Sequence, residues 1–189
     1  ALRAAVENVA AQRRALPVGA AVAGYEFVSV GGDKVALSAL AVPNQTSLFI
    51  YNFMYAPALG QGACPMCCSM LDGLNGAAGE MQSANGLAIV ARATPEELKA
   101  ISQERGWNNL PLYSSDGQFA RDFGGEDADG GQWPMMHVFE RDAENRENFR
   151  HFWSSELFYH KSDWPAHHRH IDMIWAKWNL LDMTRGGRG

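Results

Sequence analysis

The stretch Gly62-Ala63-Cys64-Pro65-Met66-Cys67-Cys68-Ser69 holds every cysteine of this 189-residue chain within five positions. Thiolates attack disulfides, bind soft metals and cross-link, so a cluster with no cysteine elsewhere marks this stretch for chemistry. Pro65 fits the first position of a helix, where a missing N–H costs nothing, and this sets Cys64 at the N-cap. A sulfur there meets unpaired amides and the positive end of the helix dipole, which lower its pKa from about 8.5 toward neutrality. Cys67 falls one turn further on the same face, the spacing a reversible disulfide requires. The expected reaction is thiol–disulfide exchange, with Cys64 as nucleophile and Cys67 as resolving thiol. Cys68 points about 100° away from Cys67 around the helix. With Met70, Leu71 and Leu74 nearby it reads as a small core residue, a second resolving thiol or a metal ligand.

A metal-binding or redox-sensing module is the competing reading. Half of a zinc site would need a second ligand pair, and there are no further cysteines to supply one. His160, His167, His168 and His170 crowd the segment before the last expected helix, and imidazole with thiolate suits copper or zinc. If a second hairpin turns about Glu144, His137 and His151 face each other across it. Cys68, His137 and His151 are therefore the candidate ligands for that alternative, while the main reading expects no cofactor. Trp153, Trp164, Trp175 and Trp178 read as core or subunit contacts.

The elements that must hold the cysteines follow from periodicity and punctuation. Leu2, Ala5, Val6, Val9, Ala10 and Leu16 lie near helical spacing, so residues 1–17 form an amphipathic arm stopped by Pro17 and packed on its own domain or on a second subunit. Residues 18–189 form the main domain. Tyr25 to Val30 and Val35 to Leu37, joined by Gly31-Gly32-Asp33-Lys34, read as a hairpin. Leu48 to Met54 is apolar on both faces, as a central covered strand would be, and it ends shortly before Cys64. Leu87 to Ala91 is a further strand, and Thr94-Pro95-Glu96-Glu97 opens a helix with Thr94 as N-cap and Glu97 closing a capping box. A short strand over Leu110 to Tyr113, a weak helix over Gln118 to Phe123, a solvated glycine-rich linker over Gly124 to Gly131, a hairpin from Met135 to Arg141 and Glu147 to Trp153, and a closing helix over Ile171 to Leu180 complete the order. Alternation of strands and helices predicts an α/β domain, a mixed sheet with helices on both faces.

Composition excludes some classes. Net charge is -5, and the largest Lys/Arg cluster is the pair Arg13-Arg14, so no footprint for a nucleic acid backbone exists. The longest apolar runs fall far short of the roughly 18 residues needed to span a bilayer. An odd number of closely grouped cysteines does not make a secreted disulfide framework, so a reducing cytoplasm is the expected location.

Strand, then Cys64-Pro65-Met66-Cys67 at a helix start, then Pro134 before a hairpin resembles the thioredoxin superfamily. The order of the four residues looks like the C-P-x-C of glutaredoxins. Arg13-Arg14-Ala15-Leu16-Pro17, Leu48 to Phe53 with Cys64-Pro65-Met66-Cys67 and Asn75-Gly76, and Leu181-Asp182-Met183-Thr184 through Gly187-Arg188 resemble a bacterial thioredoxin-like domain family of unknown function (eight-nine-nine). The resemblance spans nearly the whole chain and implies a thioredoxin-like fold, central mixed sheet flanked by helices, with the helical arm and hairpin added at the N-terminus. It further implies that Trp133-Pro134 is cis and shapes a docking surface, although only about 5% of X-Pro bonds are cis in folded proteins. Tyr51, Phe53, Tyr55 and Gln61 are the expected pocket walls, and a protein or small-molecule disulfide or thiol the partner, with a homodimer possible. Pro57 stands seven residues before Cys64, as the proline of the peroxiredoxin motif does, but Gln61 stands where that family has Thr or Ser. A peroxidase is thus a further alternative. Cys64 with Cys68 also matches the C-x-x-x-C spacing of copper-delivering thioredoxin-fold chaperones.

Overall fold

The computed structural model describes residues 1–22, 24–156 and 174–187. His160, His167, His168, His170, Trp164, Arg188 and the start of the expected closing helix lie outside the described residues. In chain order the elements are α1 (Leu2–Arg14), β1 (Ala21–Val22), β2 (Glu26–Ser29), β3 (Lys34–Ala36), β4 (Ser47–Asn52) and α2 (Pro65–Ala84). They continue with β5 (Gly86–Ala91), α3 (Pro95–Arg105), β6 (Leu112–Ser114), α4 (Gln118–Asp122), β7 (Met135–Arg141), β8 (Phe149–Glu156) and α5 (Ala176–Leu181).

The strands form one mixed sheet in the order β1-β8-β7-β4-β5-β6-β2-β3. β4, β5 and β6 run parallel, joined through α2 and α3, and β7 lies antiparallel against β4 with Met135 opposite Asn52. Parallel strands need long crossovers, and these are supplied by two helices that both cover the same face. The alternation of β4 divides the core. Tyr51 and Phe53 pack with α2, α3 and the tryptophans of the last segment, whereas Leu48 and Ile50 pack with α4 and the 3-10 turn Leu37–Leu40 on the other face. β5 is buried along its whole length, as expected for a strand covered on both sides.

Several local devices match their sequence signals. Thr94 Oγ1 accepts from the Glu97 amide at 3.2 Å while Glu97 Oε2 accepts from the Thr94 amide at 2.7 Å, closing the capping box. The β2–β3 hairpin turns through the glycines. α1 ends before Pro17 with Arg13 and Arg14 in its last turn, and none of its side chains is buried by the described residues. Arg13 lies over the Trp153 ring at 4.9 Å.

The segment before β7 departs from expectation. Gly124 to Gly131 is solvated only in part: Gly124 and Asp127 to Asp129 are exposed, but Gly125 and Glu126 are buried, Glu126 bridges antiparallel to Gln132, and its side chain is 2% exposed between Arg92 and Arg121. Burial favours protonation of that carboxyl, yet hydrogen bonds from Gln132, Arg121 and Arg92 outweigh it and hold the pKa below the ordinary value. The Trp133-Pro134 peptide is trans, since the described residues contain no cis bond. Trans is the default for X-Pro, and the Trp133 carbonyl is fixed there by the Asn52 amide at 2.7 Å.

Candidate active site

Between β4 and α2 the chain folds back on itself. Pro57–Leu59 makes a 3-10 turn, Gly60 closes it at φ 72°, a value favouring glycine, and Ala56 and Gln61 exchange backbone hydrogen bonds of 3.0 and 3.1 Å. The Cys64 amide then donates to the Met54 carbonyl at 3.1 Å, so the loop delivers Cys64 beside the end of the central strand. Cys64 has extended backbone (φ -63°, ψ 121°) and is the N-cap of α2, with Pro65 at N1, as the sequence signals require.

All three cysteines are free thiols; Cys64 is half-buried, Cys67 fully buried and Cys68 5% exposed. The Cys64 thiol is lowered from 9.0 to about 6, first because the Cys67 thiol donates a hydrogen bond to its sulfur. Burial opposes this, and the amides of Cys67 and Met66 at the open helix end add to it. The sulfur makes no capping bond of strict geometry, so these amides act mainly as oriented dipoles. Cys67 is pushed strongly upward, first by its bond to Cys64 and then by burial, so at neutral pH the pair holds one proton and one negative charge. Such a pair can attack a disulfide and then resolve it.

Cys68 packs in the core between α2 and the sheet, and burial raises its pKa. Beside it Asp72 holds Arg105 and accepts from Trp107 Nε1 at 2.8 Å, tying α2 to the end of α3. Tyr51 (1% exposed) and Phe53 (0%) lie in the core beneath the cysteines and do not wall an opening. Tyr55 is half-buried against Phe53, ring centroids 5.7 Å apart. Gln61 donates to the Gly130 carbonyl at 2.8 Å, tying the loop before Cys64 to the acidic loop. Pro134 is buried and Trp133 half-buried where β7 begins alongside the end of β4; the Trp133 indole N–H lies 3.4 Å from Asp127.

The candidate metal ligands do not converge. His137 and His151 pack against Phe119, Phe123 and Phe139 on the α4 face, the side of the sheet opposite Cys68. A bulge between Val138 and Phe139 sets His137 opposite Ser154 and His151 opposite Phe139, so the two rings are diagonal neighbours. Ser154 Oγ joins them, 2.7 Å from His137 Nδ1 and 2.6 Å from His151 Nε2. No cluster of three or more His, Cys, Asp or Glu able to hold a metal occurs among the described residues.

Sequence reasoning missed the anchor of this end of the sheet. Asn52 is 2% exposed and its amide donates to the Gly125 and Trp133 carbonyls at 3.0 and 2.7 Å, fastening the acidic loop and the start of β7 to β4. One amide inside the apolar run Leu48 to Met54 was the available signal.

Over residues 1–189 the chain matches the model of the family described as "Bacterial protein of unknown function (DUF899)". The chain belongs to this family. No curated protein matches it. Among solved structures it is similar to a mutant peroxiredoxin Q of Xanthomonas campestris, with 18% identity, 88% of this chain and 97% of that chain covered, and a TM-score of 0.58. Peroxidoxin BcpB from Mycobacterium tuberculosis is similar at 17% identity, 85% and 95% coverage and a TM-score of 0.55. A hypothetical protein from Sinorhizobium meliloti follows at 16% identity, 92% and 87% coverage and a TM-score of 0.52. At these identities the likeness is one of fold: this DUF899 chain has the thioredoxin-type sheet flanked by helices seen in peroxiredoxin-like proteins.

Proposed function

We propose that the chain is a thiol–disulfide oxidoreductase working through Cys64 and Cys67. The observation that carries this reading is the half-buried Cys64 sulfur at the N-cap of α2, one turn from Cys67, whose thiol is the main influence lowering Cys64 to about 6. The Cys64 thiolate attacks one sulfur of a protein or small-molecule disulfide, forming a mixed disulfide and expelling the first substrate thiolate. Cys67 then bonds to Cys64, its proton passing to the second substrate sulfur, which leaves as a thiol. The substrate disulfide gains two electrons and the enzyme ends as a Cys64–Cys67 disulfide, which an external dithiol must reduce. A pKa near 6 supports attack at neutral pH, because the sulfur is ionised without losing most of its nucleophilicity.

Peptide mapping after titration against glutathione buffers tests the pairing. The expected product links Cys64 to Cys67 with Cys68 free; a preparation in which Cys64 never pairs, or pairs only with Cys68, rejects this assignment.

Peroxide reduction is the second reading, favoured by Pro57 seven residues before Cys64 and by the fold shared with peroxiredoxins. Cys64 would take one peroxide oxygen to become a sulfenic acid, an alcohol or water would leave, and Cys67 would expel water to give the same disulfide. The position of Gln61 tells against it: its amide is spent on Gly130, and no hydroxyl stands at that place in the motif. Hydrogen peroxide oxidising Cys64 faster than a disulfide of equal concentration would reverse the preference.

A further inference from the structure

Tyr51 carries a buried hydroxyl that makes no hydrogen bond of ordinary geometry, in a core where such groups are nearly always paired. Its position in β4 turns it to the face covered by α2, into the same packed cluster as Cys67 and Cys68. Burial pushes the phenol well above its ordinary value, and the groups it then senses are all sulfur: Cys67 first, followed by Cys64 and Cys68. We infer that Tyr51 is the hydrogen-bond donor that stabilises the Cys67 sulfur when it turns into the attacking thiolate of the resolving step. This rests on the Cys64–Cys67 reading.

The need for such a donor follows from burial. Cys67 is 0% exposed, so water cannot solvate its anion. In the reduced pair the negative charge rests on Cys64 and Cys67 keeps the proton, so no anion forms at Cys67 itself. Once Cys64 is bonded to substrate sulfur, its negative charge is gone and Cys67 becomes the sulfur that must ionise. The groups beside Cys67 that favour its anion are the Tyr51 hydroxyl and the Met54 amide. In the step itself the Cys67 proton passes to the departing substrate sulfur, the Cys67 electron pair forms the bond to Cys64, and the Cys64–substrate bond breaks. Tyr51 keeps its own proton throughout and donates a hydrogen bond only.

An aromatic disulfide with a coloured thiolate product, 5,5′-dithiobis(2-nitrobenzoate), separates the steps. Attack by Cys64 releases one equivalent and resolution by Cys67 a second; Cys68→Ala in both proteins removes a third reporter. In Tyr51→Phe the first phase should stay within about twofold, because its main determinant is the Cys67 thiol. The second phase should slow about tenfold or more, the weight of one hydrogen bond to a charged group, with its pH midpoint moved upward. The melting temperature should hold or rise, since the lost hydroxyl had no partner. An unchanged second phase in Tyr51→Phe overturns the role of Tyr51 while leaving the dithiol reading intact. Absence of a second equivalent from the unsubstituted tyrosine protein overturns that reading, and this inference with it. Should Tyr51→Phe fold poorly, 3-fluorotyrosine at position 51, a stronger donor, is expected to speed the second phase, and no acceleration counts against the role.

Discussion

At the residue scale the account turns on how two sulfurs three positions apart share one proton. The strongest influence lowering the Cys64 pKa is the Cys67 thiol, ahead of the helix amides. Cys67→Ala should therefore raise the midpoint of Cys64 alkylation by about one unit, roughly 1.4 kcal/mol less stabilisation of the anion. It should also stop turnover at the mixed disulfide, visible as a stable substrate adduct on Cys64 by mass. An unshifted midpoint in Cys67→Ala would assign the depression to the helix end alone. The placement of Cys64 at the N-cap was legible in the sequence, because Pro65 after Cys64 is itself the signal for N1 after an N-cap. Tyr51 was legible only as an aromatic near the site. Its place beneath the sulfurs depends on the alternation of β4 and on where the loop from Phe53 to Ala63 returns, and no local pattern encodes that return.

At the element scale, the site is held by contacts between segments far apart in sequence. A Cβ on Gly125 would stand 2.6 Å from Asn52 Nδ2, against the amide that fastens the acidic loop and β7 to β4. Gly125→Ala should cost about 1–3 kcal/mol in a denaturant melt; a cost near zero would mean that Asn52 is not the anchor. Glu126→Gln leaves Arg92 and Arg121 facing a neutral amide. Because the arginine side chains are 30% and 37% exposed and solvent screens them, the expected loss is about 2 kcal/mol, not the larger value of a fully buried pair. These glycines and acids read as a linker because composition reports solvation on average. One carboxylate met by two distant arginines is a tertiary fact. The capping box of α3 was legible for the opposite reason: Thr94, Pro95 and Glu97 complete it within one turn.

At the scale of the whole molecule, the alternating order of strands and helices foretold a mixed sheet covered on both faces, and the similar solved structures share that architecture. The two-residue strand β1, paired with β8 at the sheet edge, is too short to leave a periodic signal. Acid should unfold this architecture in two stages. His137 is lowered from 6.5 to about 3, first by burial and then by His151, so the unfolded chain takes up a proton below pH 6.5 that the folded chain refuses. Stability present above 6.5 is thus lost as pH falls toward 3. Glu126 and Asp142, also held below their ordinary values, contribute stability present above about 4.5 and lost under more acid conditions. Melting temperature against pH should fall from 6.5 downward and more steeply below about 4.5, and His137→Gln should flatten the first part; an unchanged slope would show that His137 titrates alike in both states.

The most direct measurement is the rate of Cys64 alkylation by iodoacetamide across pH 4 to 10, read by mass on the peptide that carries it. The account predicts a single rise centred near pH 6. A rise centred at about 8.5, the value of an unassisted thiol, would contradict it.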